Sequence, residues 1–477
     1  MIKFGTGGFR GIIGDDFNKE NIQLIAQAIS NVIIKNNLRR QTAIGYDYRF
    51  LSPEAATWMS EVFAANEIKV SYSCEPTPSP TMIYATKILG IDYGVMITAS
   101  HNPPTFNGIK VFQKGGMDAD IETTQKIEYE LNSINEVRCV SSLSETYKNY
   151  VIETNFTESY ISYVKEFISP VIKGNEIKVL YDGFYGVGER TIKEAIKEYE
   201  LSNITLKHCK HDALFGGALP NPTKDNMLKN KEEVINNNYA FCFGMDSDGD
   251  RLGIIDENGN YVDSNEIMAC LYYYLIKYRN ESGDCVRNLA TSILMDKVSN
   301  KFGYKCHEVD VGFKNISSKM KDVNALLGGE SSGGLTIRNY LFGKDSTFSS
   351  LLFLELVIVM NKSVSEIVKE VKEFCDYNYI FDEDISTYDK SLNMYECLNS
   401  TTPKFNKEPI RIEKINNNVK YHFSNDEWIL LRISGTEPAL RVFIEMKDPK
   451  DVYENKKLLN SYINNLSKET ISYVKIC

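Results

Sequence analysis

The sequence predicts an α/β protein built from three similar mixed-sheet α/β domains and a smaller C-terminal α+β domain. Helix-like and strand-like segments alternate from the first residues onward, and this alternation restarts near residues 177 and 264. Beyond about residue 375 the pattern changes to alternating apolar and polar residues, which is typical of antiparallel strands with one buried face. The predicted domains are 1–155, 156–259, 260–374 and 375–477.

The first domain opens with a clear helical pattern. Apolar residues at 22, 25, 26, 29, 32 and 33 have the spacing of one buried helical face, and Asn18 is in position to cap the N-terminus. Because helices connect the strands that follow, we expect a mostly parallel sheet with helices on both faces. The strands and helices predicted after this helix are 42–47, 54–66, 68–74, 80–89 and 93–100.

The remaining domains follow from the same patterns. The second domain has strands at 177–186 and 240–246 around a helix at 188–199, and the third has strands at 287–293 and 304–310 after a helix near 264. The polar segment 131–157 and the acidic segment 376–390 are predicted to be linkers. The strands and last helix predicted for the fourth domain are 408–414, 419–424, 427–434, 440–446 and 451–466.

Composition and charge argue against several classes of function. The formal net charge of −10 makes the chain a poor partner for nucleic acid or for an anionic membrane. The apolar runs 267–276 and 351–360 are too short to span a bilayer, and the first residues lack the pattern of a signal peptide. Ten cysteines without a C-x-x-C pair are typical of reduced thiols, and five histidines make a multi-histidine metal site unexpected. We expect a cytoplasmic protein that binds neither nucleic acid nor membrane.

Ser100 stands where a buried strand gives way to a polar loop. The strand ends at Thr98, and Pro103 and Pro104 keep the loop from rejoining the sheet. Ligands of α/β proteins bind at the carboxyl ends of parallel strands, so this hydroxyl is a candidate for chemistry. An ordinary turn is the alternative. A serine hydrolase is not expected, because the G-x-S-x-G elbow is missing and the adjacent His101 is badly placed to act as a base.

Three carboxylates follow another apolar strand. Asp246, Asp248 and Asp250 alternate along the chain and can converge on a hard cation, and an all-oxygen ligand set suits Mg²⁺. An EF-hand is excluded although Glu257 falls at the twelfth position, because Arg251 occupies the sixth position, where glycine is required. Solvated carboxylates in a turn are the remaining alternative.

Two further loops have residue types suited to a sugar phosphate. The turn at 434–436, Ser-Gly-Thr, offers backbone N–H groups and hydroxyls to phosphate oxygens, and Arg432 and Arg441 flank it. A hairpin with an incidental arginine pair is the alternative. Glu330 and Ser332 lie among glycines in a second loop, which suits sugar hydroxyls or forms an ordinary turn.

Taken together and in order, these loops resemble the α-D-phosphohexomutase superfamily, which includes phosphoglucomutase, phosphomannomutase and phosphoglucosamine mutase. The resemblance spans the whole chain. It implies four domains around a central cleft and an intramolecular phosphotransferase that interconverts hexose 1-phosphate and hexose 6-phosphate. The motifs that carry it are FGTGGFRG (4–11), TASHNPP (98–104), DSDGDR (246–251), GESSG (329–333) and RISGTEP (432–438).

The resemblance implies a role for each motif. Ser100 would carry the transferable phosphoryl group, Lys110 would be the general acid/base beside it, and Mg²⁺ would be held against the phosphoserine by the three aspartates 246, 248 and 250. A hexose 1,6-bisphosphate would be both activator and intermediate. The residues implied to line the pocket are Arg10, His101 and Arg251, and those implied to hold the substrate are Glu330, Ser332, Lys314, Arg432, Ser434, Gly435, Thr436 and Arg441.

The resemblance also bears on the substrate and the assembly. Lys314 follows an aromatic residue as in glucomutases, and Gly334 stands where mannomutase-like and glucosamine-mutase-like members tend to have histidine. This favours glucose phosphate as the phosphorylated hexose, with mannose phosphate as a second substrate, in a monomer or homodimer. A phosphomannomutase or a phosphoglucosamine mutase is the alternative within the class. A catalytically silent sugar-phosphate-binding protein is the alternative outside it, which the intact Ser100, Lys110 and aspartates oppose.

Overall fold

The computed structural model describes residues 2–5, 8–389, 392–434 and 438–474, with side chains up to residue 466. The chain divides into two compact units. The first contains residues 1–288 and 294–371, and the second contains residues 289–293 and 372–477. Within the described ranges, no helix combines the length and the apolar character that crossing a bilayer requires.

The first sheet of unit 1 is mixed. Its order is β1-β5-β4-β2-β3-β7, with β6 beside β5. The central strands are parallel to one another, whereas β5 is antiparallel to β1, β4 and β6. The strands are β1 (Phe9–Ile12), β2 (Gln41–Tyr46), β3 (Lys69–Ser73), β4 (Tyr93–Ile97), β5 (Phe106–Gln113), β6 (Met117–Asp118) and β7 (Val151–Thr154).

The helices of this region bury the faces that the sequence pattern indicates. In α1, the Asn18 side chain accepts a hydrogen bond from the Asn21 N–H at 2.9 Å, which confirms the predicted cap. The linker predicted at 131–157 is wrong for its last part, because β7 pairs in parallel with β3 and satisfies that edge with only half-buried and exposed residues. The helices are α1 (Lys19–Lys35), α2 (Ser52–Ala65), α3 (Ser79–Ile88), α4 (Ile121–Leu131) and α5 (Glu145–Tyr150).

The second sheet has the order β12-β11-β10-β8-β9. Strand β10 is buried along its whole length, pairs in parallel with β8 and turns back into the antiparallel β11, so the loop between them leaves the sheet at its carboxyl edge. The strands are β8 (Val179–Asp182), β9 (Ile204–Lys207), β10 (Phe241–Met245), β11 (Leu252–Asp256) and β12 (Tyr261–Val262). The helices are α6 (Thr157–Lys165), α7 (Gly188–Tyr199), α8 (Lys224–Met227) and α9 (Lys231–Asn236).

The third sheet has the order β14-β13-β15-β16. The strand predicted at 287–293 is misplaced, because β13 ends at Asn288 and the next five residues belong to unit 2. The strands are β13 (Cys285–Asn288), β14 (Cys306–Val309), β15 (Leu327–Glu330) and β16 (Gly334–Ile337). The helices are α10 (Ser264–Lys277), α11 (Leu294–Lys301), α12 (Phe313–Val323), α13 (Ser346–Met360) and α14 (Val364–Phe374).

Unit 2 is built on an antiparallel sheet of order β17-β21-β20-β19-β18. The linker predicted at 376–390 is wrong, because residues 380–387 pair with β21 along their whole length as β17. The strands are β17 (Ile380–Thr387), β18 (Arg411–Ile415), β19 (Asn418–His422), β20 (Trp428–Ile433) and β21 (Ala439–Met446). The helices are α15 (Met394–Ser400) and α16 (Pro449–Val474). Short 3₁₀ turns of the chain are Pro170–Ile172, Phe215–Gly217, Leu228–Asn230 and Ser424–Asp426.

A buried carboxylate organises the core of unit 2. Glu445 on β21 accepts hydrogen bonds from Tyr377 Oη and Trp428 Nε1, both at 2.6 Å. It also accepts from the Ser292 hydroxyl and, at 3.0 Å, from the Ile293 N–H. The segment 289–293 is thus held in unit 2 by hydrogen bonds. The predicted fold class, mixed α/β sheets followed by a smaller β-rich α+β region, is confirmed.

Candidate active site

Ser100 is presented by the loop that follows β4. Its φ of 51° is left-handed, a conformation that costs a residue other than glycine about 1–2 kcal/mol. The Ser100 N–H donates to Thr98 Oγ1 at 2.8 Å, and the hydroxyl donates to Asp246 Oδ2 at 2.8 Å. The expectation that His101 is badly placed is wrong, because its Nδ1 lies 3.3 Å from Ser100 Oγ. Asp246 is nevertheless the nearer partner, so the hydroxyl faces a carboxylate.

The three aspartates lie on the loop between β10 and β11. Their side chains are buried, and one oxygen from each lies within 4.8 Å of those of the other two. Burial excludes the alternative of solvated turn carboxylates. Among the described residues, Asp248 Oδ1 and Asp250 Oδ1 are buried without a hydrogen-bond partner. Buried carboxylate oxygens of this kind need a partner, so the cluster fits a hard divalent cation.

Lys110 brings a positive charge into the same cluster from β5. Its Nζ lies 2.5 Å from Asp248 Oδ2 and 2.7 Å from Asp250 Oδ2. Burial by itself lowers the pKa of the Lys110 ammonium, but the two carboxylates outweigh it and raise the pKa above its usual value. For Asp248 and Asp250, burial is likewise outweighed by Lys110, so their pKa values are lowered. Burial and the neighbouring carboxylates raise the pKa of Asp246, the residue that accepts the Ser100 hydrogen bond.

Glu330 and Ser332 lie in the hairpin between β15 and β16. The Ser332 hydroxyl donates to Glu330 Oε1 at 2.8 Å, and Asn288 Nδ2 donates to Glu330 Oε2 at 3.0 Å. Lys344 joins this hairpin to the aspartate cluster, because its Nζ is 4.0 Å from Glu330 Oε1 and 3.2 Å from Asp250 Oδ2. A carboxylate and a hydroxyl held side by side in this way suit a pair of sugar hydroxyls.

Further basic residues surround the cluster. Arg251 Nε is 4.0 Å from Asp246 Oδ2 and 3.9 Å from Asp250 Oδ1. Burial, followed by the charges of Arg251 and Lys344, lowers the pKa of His101 well below its ordinary value, so its imidazole is neutral at pH 7. Arg10 on β1 is opposite Gly108 of β5, and burial lowers the pKa of its guanidinium to about 10, which leaves it charged.

Lys314 occupies the second position of α12. Burial lowers the pKa of its ammonium, and the charges of Asp118 and Asp120 oppose that effect. Its charged neighbours are therefore residues at and just after β6. Ser100, the aspartates and Lys110 thus lie in direct contact. Lys344 connects Glu330 to this cluster, whereas Lys314 lies near other carboxylates.

In unit 2, Arg432 on β20 is directly opposite Arg441 on β21. Like charges in opposed positions of a sheet repel, so an anion bound beside the two guanidinium groups would lower that repulsion. Glu383 Oε1 lies 3.7 Å from Arg441 Nη1. The Ser434 N–H donates to the Ala439 carbonyl at 2.9 Å. Gly435 and Thr436 lie outside the described residues.

The sequence of three regions matches one protein family. Residues 1–138, 158–259 and 263–374 match alpha/beta/alpha domains I, II and III of phosphoglucomutase/phosphomannomutase. The chain belongs to this family. Its members are isomerases that move a phosphoryl group within a substrate, so the chain is an enzyme of the intramolecular phosphotransferase class.

Individual family members cover nearly the whole chain. A phosphoglucosamine/phosphogalactosamine mutase of Sulfurisphaera tokodaii is 27% identical and covers 98% of each chain. A phosphoglucomutase/phosphomannomutase of Thermococcus kodakarensis is 26% identical over 94% of this chain and 96% of its own. The crystal structure of a Thermus thermophilus protein described as a phosphomannomutase has the same fold, with a TM-score of 0.85 at 24% identity over 97% and 99% of the two chains.

Within this family fold, three residues join the site that the sequence did not indicate. Lys344 contacts Asp250, the Ser79 hydroxyl donates to Asp248 Oδ2 at 2.5 Å, and Arg49 contacts the Ser100 loop. Each is distant in sequence from its partner and lies in no recognisable motif. The glycine at 334 is the one sequence signal, because a Cβ there would lie 2.1 Å from Lys344 Cδ. The absent side chain makes room for the lysine.

Proposed function

We propose that the chain is a phosphohexomutase that interconverts hexose 1-phosphate and hexose 6-phosphate through a phosphoserine at Ser100 and a hexose 1,6-bisphosphate. The observation that carries the proposal is the 2.8 Å contact of Ser100 Oγ with Asp246, a member of a buried carboxylate cluster that also binds Lys110. Phosphoryl transfer depends mostly on positioning and charge stabilisation, and this arrangement supplies both.

The donor set of the cluster fits Mg²⁺. Its three carboxylates are all-oxygen ligands, and two of their buried oxygens have no hydrogen-bond partner among the described residues. Asp246, Asp248 and Asp250 are proposed to hold the ion together with an oxygen on Ser100. When bound, Mg²⁺ neutralises charge that develops on the transferred phosphoryl group.

The proposed reaction consists of two phosphoryl transfers. First, the bond between phosphorus and Ser100 Oγ breaks as a bond forms to the sugar 6-oxygen, and the proton of the 6-hydroxyl passes to Ser100 Oγ. Second, the bisphosphate turns round, the bond from phosphorus to the sugar 1-oxygen breaks as a bond to Ser100 Oγ forms, and the proton of the Ser100 hydroxyl passes to the sugar 1-oxygen. Lys110 is the proposed acid/base, and its raised pKa means that its ammonium is protonated at pH 7. Arg10, His101 and Arg251 are proposed to line the pocket.

Substrate binding is assigned by the same reasoning. Glu330 and Ser332 are proposed to bind adjacent sugar hydroxyls, and Lys314 to contribute a positive charge. The residues proposed to bind the phosphate that is not being transferred are Arg432, Ser434, Gly435, Thr436 and Arg441. The opposed arginines of β20 and β21 support this assignment, since an anion relieves their repulsion.

For the hexose we propose glucose, with mannose as a second substrate. Support comes from Gly334 and from the aromatic residue before Lys314. Phosphomannomutase and phosphoglucosamine mutase fit the comparisons equally well, because family members of similar identity have those names. We further propose the four domains 1–155, 156–259, 260–374 and 375–477, a cytoplasmic location, and a monomer or homodimer.

The test measures mutase turnover with the 1-phosphates of glucose, mannose and glucosamine, each with and without the matching 1,6-bisphosphate. Turnover should require Mg²⁺, and protein stripped of phosphate should need bisphosphate before it acts on a monophosphate. Intact mass should then show one phosphoryl group on the wild type and none on Ser100→Ala. Asp248→Asn should raise the Mg²⁺ concentration that half-maximal turnover requires, because it removes one charged ligand from the cluster. Full activity of Ser100→Ala, or no turnover of any sugar by the wild type, contradicts the proposal.

A further inference from the structure

Arg49 is a buried arginine whose guanidinium binds the Ser100 loop. It lies just beyond β2 and is 2% exposed. The carbonyls that accept its hydrogen bonds belong to Ser100 at 2.5 Å, Asn102 at 2.7 Å, Pro103 at 2.8 Å and Phe106 at 2.9 Å. One side chain therefore binds three carbonyls of the Ser100 loop and that of the first residue of β5, and one of the four belongs to the reacting residue.

The other side of Arg49 is fixed by Asp47. The Asp47 carboxylate is fully buried, lies 3.3 Å from Arg49 Nε and accepts the Thr98 hydroxyl at 2.6 Å. Thr98 in turn accepts the Ser100 N–H. Asp47 thus anchors both backbone polar groups of Ser100, its N–H through Thr98 and its carbonyl through Arg49. The Ser247 hydroxyl donates to the same Ser100 carbonyl from the aspartate loop.

We infer that Arg49 is a positioning residue that keeps Ser100 Oγ at one place beside the aspartate cluster while it alternates between hydroxyl and phosphate. The inference rests on the proposed function. The left-handed backbone of Ser100 is strained, and bonds that hold its two backbone groups prevent the loop from relaxing and moving Oγ. Only a guanidinium has enough donors in a fixed fork to bind four carbonyls, so a lysine cannot replace it.

The test compares Arg49→Lys with the wild type as complete chains. We expect kcat to fall about 100-fold, the size of effect that a misplacement of about 1 Å has, at an unchanged KM for hexose phosphate. Phosphorylation of Ser100 by hexose 1,6-bisphosphate, followed by intact mass in a single turnover, should slow by a similar factor. Arg279→Lys is the matched control, because Arg279 also binds a buried carboxylate, that of Glu355, and a backbone carbonyl, but away from the site.

A second readout does not depend on activity. Amide hydrogen exchange of peptides covering residues 98–108 should be at least tenfold faster in Arg49→Lys and unchanged in Arg279→Lys. If Arg49→Lys does not fold, Ser247→Ala tests the same positioning, because the Ser247 hydroxyl binds the same Ser100 carbonyl. We expect a three- to tenfold fall in kcat at constant KM for this variant. Unchanged kcat and unchanged exchange, or a parallel change of kcat and KM, would overturn the inference. A wild type inactive on every hexose phosphate refutes the proposed function alone, and exchange then decides the role of Arg49.

Discussion

Replacing Lys110 by glutamine tests the charge balance of the aspartate cluster. The ammonium lies 2.5 Å and 2.7 Å from the carboxylates of Asp248 and Asp250, which are buried. Breaking a buried ion pair by removing one partner costs about 3–5 kcal/mol, because the remaining charge is left uncompensated. We expect Lys110→Gln to lower the free energy of unfolding of the metal-free protein by about this amount at pH 7.

The loss of stability in Lys110→Gln should change with Mg²⁺ concentration and with pH. The ion and the ammonium share the same carboxylates and repel each other, so the variant should bind Mg²⁺ at least about tenfold more tightly, a difference of about 1.4 kcal/mol. Saturating Mg²⁺ should therefore recover much of the lost stability. The lowered pKa values of Asp248 and Asp250 mean that the wild-type advantage is present above their ordinary value of 3.8 and is lost as pH falls through their lowered values.

The assay is urea unfolding of both proteins in EDTA and in Mg²⁺, together with calorimetric titration by Mg²⁺. Lys114→Gln is the control, since this neighbouring lysine is 70% exposed and lies 3.8 Å from Asp92, and it should change the free energy of unfolding by less than about 0.5 kcal/mol. Equal stability of wild type and Lys110→Gln in EDTA, or weaker Mg²⁺ binding by the variant, would refute the reasoning.

Three further predictions concern other parts of the chain. Gly334→Ala should displace Lys344 and lower kcat/KM about tenfold in steady-state assays, and an unchanged value would contradict the 2.1 Å approach. Burial raises the pKa of Asp345 from 3.8 to about 6, so the stability advantage of wild type over Asp345→Asn should shrink by about 2 kcal/mol between pH 4 and pH 6; a pH-independent difference in urea unfolding would contradict this. Arg441→Gln should raise KM for hexose phosphate about tenfold with little change in melting temperature, whereas an unchanged KM would remove Arg441 from the substrate site.

Local pattern was sufficient for most of the fold. Helix α1 is predictable because its apolar spacing and its capping residue both lie within one continuous stretch of sequence. Strands β7 and β17 were missed because their residues are mostly half-buried or exposed, and what holds them is backbone pairing with β3 and β21. The end of β13 was misplaced for a related reason, since the apolar residues after Asn288 are buried in another unit.

The candidate site divides in the same way. Ser100 and the aspartates are predictable because each stands directly after a buried strand within a short motif. Lys344 and Arg49 act on partners far along the chain, and nothing in the flanking residues distinguishes them from other buried or half-buried cations. Such residues become visible only when the carboxylates and carbonyls that they contact are located.

The segment 289–293 makes unit 2 discontinuous, which constrains how the chain can fold and be divided. A polypeptide of residues 372–477 alone would leave the buried Glu445 carboxylate with two of its four donors, those of Tyr377 and Trp428, because Ser292 and Ile293 lie upstream. On the ribosome those five residues emerge long before β21 is made. The core of unit 2 therefore closes only when the last strand returns to them, so this region is the last to be completed and cannot be exchanged between relatives as a simple C-terminal fragment.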